Sequence, residues 1–162
     1  MKKRGWLWLI PLLVLIPDRI SKVLSVNLPS GGVVLIPGVL QLRYTENRGM
    51  AFSMLSGQPV LLGILSVAVI LGAFLYFRKK DLKTLPFIAL MLMLGGAVGN
   101  LIDRFAQGYV QDMIEVLFVN FAVFNVADMA LTVGCGLLIL DLLFFTKDRD
   151  QQEKKPQEAK NE

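Results

Sequence analysis

Two aspartates, Asp112 and Asp128, lie in the C-terminal half of the chain, and neither has a lysine or arginine within four positions. Asp128 is part of the apolar stretch "FNVADMALTVG", where an isolated ionised carboxylate would cost roughly 2.5–3.5 kcal/mol at a bilayer centre. Two carboxylates brought close together share a proton, so that one activates a water while the other polarises a carbonyl. The pair predicts aspartic-protease chemistry. The structural alternative is two acids that are hydrogen-bonded independently within a helix bundle.

Two further acids have basic neighbours. Asp18 precedes Arg19 directly and has Lys22 at position i+4, which places the lysine on the same face of a helix. Asp103 is adjacent to Arg104. We therefore expect a local ion pair for Asp18 and a structural role for Asp18, Lys22 and Asp103.

Several other chemistries are excluded by residue type. The chain has no histidine, which rules out Ser-His and Cys-His nucleophile pairs and His-ligated zinc. The single cysteine, Cys135, lies in an apolar segment and is expected to pack there. Ser21 and Lys22 are consecutive, so on a helix they point about 100° apart and form no Ser-Lys dyad by themselves. The sequence predicts no metal and no cofactor.

The elements that must position these residues are apolar. The chain is 54% hydrophobic with a mean hydropathy of +0.57. Its long apolar segments cover residues 6–24, 59–77, 85–102 and 121–145, each near or above the roughly 18–20 residues that cross a hydrocarbon core. The start "MKKRGWLWLIPLLVLI" also resembles a secretory signal, but no small-residue cleavage site follows. We predict an all-α polytopic membrane protein with four transmembrane helices in one domain, residues 1–146, and a disordered polar tail, 147–162.

The distribution of basic residues predicts the orientation. Lysine and arginine are concentrated at both termini and in the turn "RKKDLKT". By the positive-inside rule, we expect these parts in the cytoplasm and the segments from about 25 to 58 and from about 103 to 120 outside. This topology and anionic lipid explain the net charge of +4 without a nucleic-acid partner. In the first outer segment, at about 31–56, apolar runs on either side of Pro37-Gly38 predict two strands of a small extracytoplasmic β-sheet. Gly95 and Gly99 are expected to allow close helix packing.

Four motifs carry a resemblance to a known family. "GNLIDRFAQGYVQD" followed by "FNVAD" resembles the paired signature of bacterial lipoprotein signal peptidase, also called signal peptidase II. "ENRGMAFS" resembles the outer-loop motif of that family and "DRISK" its first-helix motif. The resemblance extends over nearly the whole chain. It implies an intramembrane aspartic endopeptidase of the bacterial inner membrane that cleaves prolipoproteins before a diacylglyceryl-modified cysteine.

The resemblance also implies roles for individual residues. Asp112 and Asp128 would be the catalytic pair, with the substrate bound by Asn47, Asn100, Arg104 and Asn125. The chain departs from the usual family residues at three positions: Arg19 replaces glutamine, Met50 alanine and Met113 phenylalanine. The expected partners are prolipoproteins and membrane lipid, and the protein is expected to be a monomer. The alternatives are a small ion- or proton-conducting transporter bundle and a non-catalytic scaffold.

Overall fold

The computed structural model describes residues 2–49, 61, 64, 67, 68, 71, 72, 75 and 83–144. Within these residues a 3-10 helix, Lys2–Leu9, leads into helix α1, Ile10–Ser25. Strands β1, Val33–Ile36, and β2, Leu40–Asn47, follow. Helix α2, Thr84–Gln107, strand β3, Val110–Val116, and helix α3, Val126–Phe144, complete the described chain. Helix α2 packs against both α1 and α3 and is the centre of the helical layer.

Two of the described helices, α2 and α3, are long and apolar enough to cross a membrane, each with a mean hydropathy of 2.0. They correspond to the predicted spans 85–102 and 121–145. The predicted span 6–24 is not one α-helix, because its first residues form the 3-10 helix and α1 has only 16 residues. Most of the predicted span 59–77, the segment 50–56 and the tail 147–162 lie outside the described residues.

Glycines of α2 set how closely the helices approach. A Cβ atom at Gly95 would lie 2.8 Å from the Val14 Cβ on α1, and one at Gly96 would collide with the backbone carbonyl of Ala127 on α3. At Gly99, a Cβ would lie 2.8 Å from Asp18 Oδ2. The packing role predicted for Gly95 and Gly99 is thus confirmed. Their missing side chains let polar groups of α1 and α3 converge on α2.

The strands form an antiparallel sheet in the order β1-β2-β3. The two strands predicted around Pro37-Gly38 are confirmed, and Gly38 occupies the left-handed region at φ 72° in the turn between them. The third strand was not predicted, and it extends the small sheet expected beside the helices to the connection between α2 and α3. In the stretch "VQDMIEV" apolar and polar residues alternate only weakly, and Asp112 and Met113 are both buried. Strict alternation is the main sequence signal for a strand, so the sequence did not indicate this one.

Gly108 links α2 to β3. It adopts a left-handed conformation at φ 80°, and its N–H donates to the Arg104 carbonyl at 3.1 Å, which ends the helix. The chain then reverses direction and enters β3 two residues later. As a result, the strand that carries Asp112 begins beside the last turn of α2.

Candidate active site

Asp112 is buried on β3, where it is 1% exposed. The β2–β3 register pairs Asn47 with Val110, so Asn47 and Asp112 are diagonal neighbours on one face of the sheet. Asn47 Nδ2 donates to Asp112 Oδ2 at 2.9 Å, and its own Oδ1 accepts from the Gly49 N–H at 3.1 Å. The amide of Asn47 is therefore held at both ends.

Asp128 lies in the first turn of α3 and takes part in the cap of that helix. Its backbone N–H donates to Asn125 Oδ1 at 2.8 Å, while Asp128 Oδ2 accepts from the Asn125 N–H at 3.2 Å. This reciprocal pair is a capping box, and a carboxylate at a helix N-terminus is also favoured by the helix dipole. Asp128 is half-buried, whereas Asp112 is almost completely buried.

The start of α3 corrects the prediction for the fourth span, which placed Asp128 about two turns inside a helix beginning at residue 121. Phe124 instead pairs with Ile114 in an extended bridge, with Phe124 N–H to Ile114 carbonyl at 3.0 Å. Phe124 is thus bridged to β3, and the helix begins only at Val126. Apolar content alone does not separate a strand from a helix, so the sequence placed Asp128 too deep.

Asn125 connects the two acids. It is completely buried, and its Nδ2 donates to Asp112 Oδ1 at 2.7 Å and to Asn100 Oδ1 at 3.1 Å. Because the same residue caps α3 through Oδ1, it fixes the Asp128 helix relative to the Asp112 strand. Asn125 thus contacts Asp112 directly and Asp128 through the helix cap, and the charge of Asp128 acts on Asp112.

Asn100, on α2, contacts the second acid. Its Nδ2 donates to Asp128 Oδ1 at 2.7 Å, and its Oδ1 accepts from Lys22 Nζ at 3.1 Å. Arg104 lies one helical turn further along α2, and its side chain forms no hydrogen bond or ion pair with another described residue. The charges of Asp128 and Asp112 both act on its guanidinium. Arg104 thus offers free donors beside the two acids within the part of the chain that the structure describes.

Behind Asn100 lies a four-charge cluster, defined as Asp18, Arg19, Lys22 and Asp103. Lys22 Nζ lies 3.0 Å from Asp18 Oδ2 and 2.7 Å from Asp103 Oδ2. Arg19 contacts the same two acids, at 2.8 Å to Asp18 and 2.7 Å to Asp103. The opposite charges balance, as buried ions require.

The cluster confirms the local ion pair predicted for Asp18. The partners of Asp103 are Arg19 and Lys22 on α1, and not its neighbour Arg104. Asp18 also ties α1 to α3, because its Oδ1 accepts from the Ala127 N–H at 3.1 Å. Asp103 likewise accepts from the Gln111 N–H of β3 at 3.3 Å.

The environment of Asp112 favours its protonated form. Burial and the nearby charge of Asp128 raise the pKa of Asp112 to about 7, although hydrogen bonds from Asn47 and Asn125 act in the opposite direction. A carboxyl that holds a proton near neutral pH can polarise a carbonyl. A second carboxylate connected through one amide can accept a proton from water.

Sequence reasoning missed two features of this site. The first is the contact between Arg19 and Asp103 in the four-charge cluster. These residues are 84 positions apart in the sequence, so local spacing gives no indication that they meet. The second is the cap formed by Asn125 and Asp128, which the spacing N-x-x-D before an apolar run could have indicated. Among the described residues, no group of His, Cys, Asp and Glu is arranged to hold a metal ion. The residues present offer an acid pair and amide donors.

Comparisons with known proteins agree with one another. The family model described as "Signal peptidase (SPase) II" matches residues 10–144. The chain is 40% identical to a lipoprotein signal peptidase of Streptococcus pneumoniae over 146 residues, which cover 88% of this chain and 95% of the relative. It is 50% identical to a lipoprotein signal peptidase of Streptococcus thermophilus over 108 residues, or 66% of this chain and 71% of the relative.

A solved structure has a similar fold. It is described as a bacterial membrane enzyme determined by the in meso method at 2.3 Å resolution, and it superposes with a TM-score of 0.81 at 33% sequence identity. The match covers 89% of this chain and 91% of the other.

Proposed function

The chain belongs to the signal peptidase II family and removes signal peptides from prolipoproteins, and we propose that it does so as an aspartic endopeptidase with Asp112 and Asp128 as the catalytic pair. Enzymes of this family are bacterial membrane peptidases. The transporter alternative is not supported. The aspartic mechanism and the individual roles below are our proposal.

The observation that carries the proposal is the double use of Asn125. One amide donates to Asp112 and caps the helix that begins just before Asp128. The two acids are thereby held together although they come from a strand and a helix. Nucleophilic Ser-His and Cys-His pairs are excluded because the chain has no histidine, and no group of His, Cys, Asp and Glu among the described residues is arranged to hold a metal ion.

The two acids have different roles in the proposed reaction. Asp112 holds the shared proton and donates it in a hydrogen bond to the scissile carbonyl, while ionised Asp128 takes a proton from water. The water oxygen bonds to the carbonyl carbon, and the carbonyl oxygen receives the proton of Asp112, which gives a tetrahedral diol. As the diol collapses, its C–N bond breaks. The leaving nitrogen takes the proton held by Asp128, and Asp112 recovers a proton from a diol hydroxyl.

Amide and guanidinium donors support the substrate in this scheme. The free donors of Arg104 suit a peptide carbonyl beside the pair, and Asn47 lies on the sheet above Asp112. Asn100 orients Asp128 and Asn125 orients Asp112, each through a hydrogen bond donated by its side-chain nitrogen. We assign Asp18, Lys22 and Asp103 to the support of this arrangement.

The proposed substrate carries a diacylglyceryl-modified cysteine directly after the cleaved bond. A carboxylate at the end of a membrane helix reaches only a peptide bond that is held at the same depth. Two acyl chains would hold it there, because each buried CH₂ contributes about 0.8 kcal/mol and two chains anchor stably in lipid. We further propose that the enzyme acts as a monomer, with its termini in the cytoplasm and its acid pair at the outer face of the inner membrane.

The test of the acid pair uses purified protein in detergent and a lipidated prolipoprotein. Asp112→Asn and Asp128→Asn should each abolish cleavage, since an amide neither takes a proton from water nor donates the shared one. Glu115→Gln is the matched control, because Glu115 is an acid on the same strand that pairs with Arg43 and not with the site. Cleavage by either aspartate variant at a rate near that of the control would refute the mechanism.

A second experiment tests the substrate. The same prolipoprotein with an unmodified cysteine, inserted in the same membrane, should be cleaved far more slowly. Equal rates for the two forms would show that the lipid does not position the bond.

A further inference from the structure

Lys22 is only 1% exposed, and all three N–H groups of its ammonium are used. They donate to Asp103 Oδ2 at 2.7 Å, Asp18 Oδ2 at 3.0 Å and Asn100 Oδ1 at 3.1 Å. A lysine ammonium has three N–H groups and no acceptor. Two of the contacts neutralise carboxylates, whereas the third reaches a neutral amide next to the acid pair.

Lys22 and Asn125 together determine how the Asn100 amide is oriented. Asn100 Oδ1 accepts from two donors, Lys22 Nζ and Asn125 Nδ2, each at 3.1 Å. A flipped amide would direct its own N–H groups at these donors, which a buried site does not tolerate. The oxygen of Asn100 must therefore face Lys22. Its Nδ2 consequently faces Asp128 Oδ1, at 2.7 Å.

We propose that Lys22 is a positioning residue for the reaction: through Asn100 it aims an N–H group at Asp128 and so holds that carboxylate in place to take the proton of the attacking water. The proposal rests on the proposed function, because it assigns Asp128 as the base. Lys22 itself does not touch either acid of the pair. The charge of Lys22 also acts on both acids, and the positioning effect proposed for it passes through the amide of Asn100.

A comparison with Arg19 distinguishes this positioning role of Lys22 from simple charge balance. It binds the same two carboxylates as Lys22, at 2.8 Å to Asp18 and 2.7 Å to Asp103, but its remaining contact is with the Gly99 carbonyl at 3.0 Å. Removal of either cation leaves the four-charge cluster with one uncompensated negative charge. Only removal of Lys22 also takes a donor from Asn100 Oδ1, which leaves Asn125 Nδ2 as the remaining donor to that oxygen among the described residues.

The experiment compares Lys22→Met with Arg19→Met in the detergent assay with lipidated prolipoprotein. Lys22→Met should lower kcat by about 10-fold to 100-fold, the effect of losing one hydrogen bond that orients a charged group, with KM changed by less than about threefold. Arg19→Met should keep kcat within about threefold of the parent protein. Equal losses of kcat in the two variants, or an unchanged kcat in Lys22→Met, would overturn the proposal.

A double-mutant cycle with Asn100→Ala tests whether the effect passes through Asn100. If it does, Lys22→Met should lower kcat by no more than about twofold once Asn100 is alanine, because no amide remains to be oriented. If the two losses of kcat multiply, Lys22 acts independently of Asn100 and the proposal is wrong. Asp128→Asn is measured beside these variants. Its full activity would refute the proposed function, whereas an inactive Asp128→Asn with multiplying losses in the cycle would refute only the role of Lys22.

Charge-compensated variants keep the proposal testable if Lys22→Met does not fold. Asp103→Asn is combined either with Lys22→Met or with Arg19→Met, so that both proteins lose one charge of each sign. Only the first loses the contact with Asn100. A lower kcat in that protein alone supports the proposal, and equal kcat values contradict it.

Discussion

Asn125 and Asp128 cap each other at the start of α3: the Asp128 N–H donates to Asn125 Oδ1 at 2.8 Å, and the Asn125 N–H donates to Asp128 Oδ2 at 3.2 Å. The side-chain nitrogen of the same asparagine donates to Asp112 at 2.7 Å. One buried residue thus contributes both to the stability of the helix and to the geometry of the acid pair. The two contributions can be separated by substitution.

Replacement of Asn125 tests this separation. Asn125→Ala removes the cap and the donor to Asp112, whereas Asn125→Ser keeps an oxygen that can cap the helix. Both variants should lose at least about tenfold in kcat, since neither has the side-chain amide nitrogen that reaches Asp112 Oδ1. The alanine variant should be less stable than the serine variant by about 1 kcal/mol. Thermal unfolding in detergent and the cleavage assay measure the two effects, and a serine variant with full activity would contradict the bridging role.

The pKa of Asp112 predicts how stability depends on pH. Because the folded pKa is raised to about 7 from an ordinary value of 3.8, the folded protein binds more protons than the unfolded chain between these values. Stability should therefore fall as the pH rises from about 4 to about 7, and this part of the slope should end above pH 7. Asp112→Asn should remove it. Identical slopes of melting temperature against pH in the two proteins would contradict the raised pKa.

The same proton predicts the pH profile of cleavage. Activity needs one protonated and one ionised acid, so the profile should be bell-shaped, with both limbs belonging to the pair. Loss of the proton of Asp112 should produce a decline above about pH 7. Initial rates measured from acid to alkaline pH test this, and a rate that rises steadily beyond pH 7 would be inconsistent with a protonated Asp112.

Close packing at Gly99 predicts a sensitive position. In Gly99→Ala the new Cβ would lie 2.8 Å from Asp18 Oδ2 and 3.3 Å from the Ala127 Cβ, so the variant should lose about 1–3 kcal/mol of stability. Gly136→Ala on α3 is the matched control. A Cβ there has nothing within 4 Å, and the greater helix propensity of alanine should leave stability equal or improved. Equal melting temperatures for the two variants would argue against the tight contact.

Metal removal should leave cleavage unchanged. No cluster among the described residues is arranged to hold a metal ion, and the whole chain has no histidine. Activity is measured after treatment with a chelator and again after addition of zinc. Loss on chelation with recovery on zinc would contradict the aspartic mechanism.

The amino-acid sequence by itself determined the candidate acids and two of the apolar helices. Asp112 and Asp128 stood out because they lack local counterions, and the spans of α2 and α3 followed from long apolar runs. The turn at Pro37-Gly38 was likewise marked by residue types that favour one backbone conformation. These properties depend on neighbours in the chain, which is why the sequence contains them.

The tertiary structure alone decided which groups meet. Asp103 is next to Arg104 in the sequence but pairs with Lys22 and Arg19, because α2 turns that face towards α1 at the glycine contacts. The start of α3 could not be read from the apolar run either, because Phe124 pairs with Ile114 and the helix begins only at Val126. Hydrogen bonds and ion pairs form between atoms about 3 Å apart in space, whatever the separation of the residues in the sequence. The network around Asp112 and Asp128 therefore exists only in the folded chain.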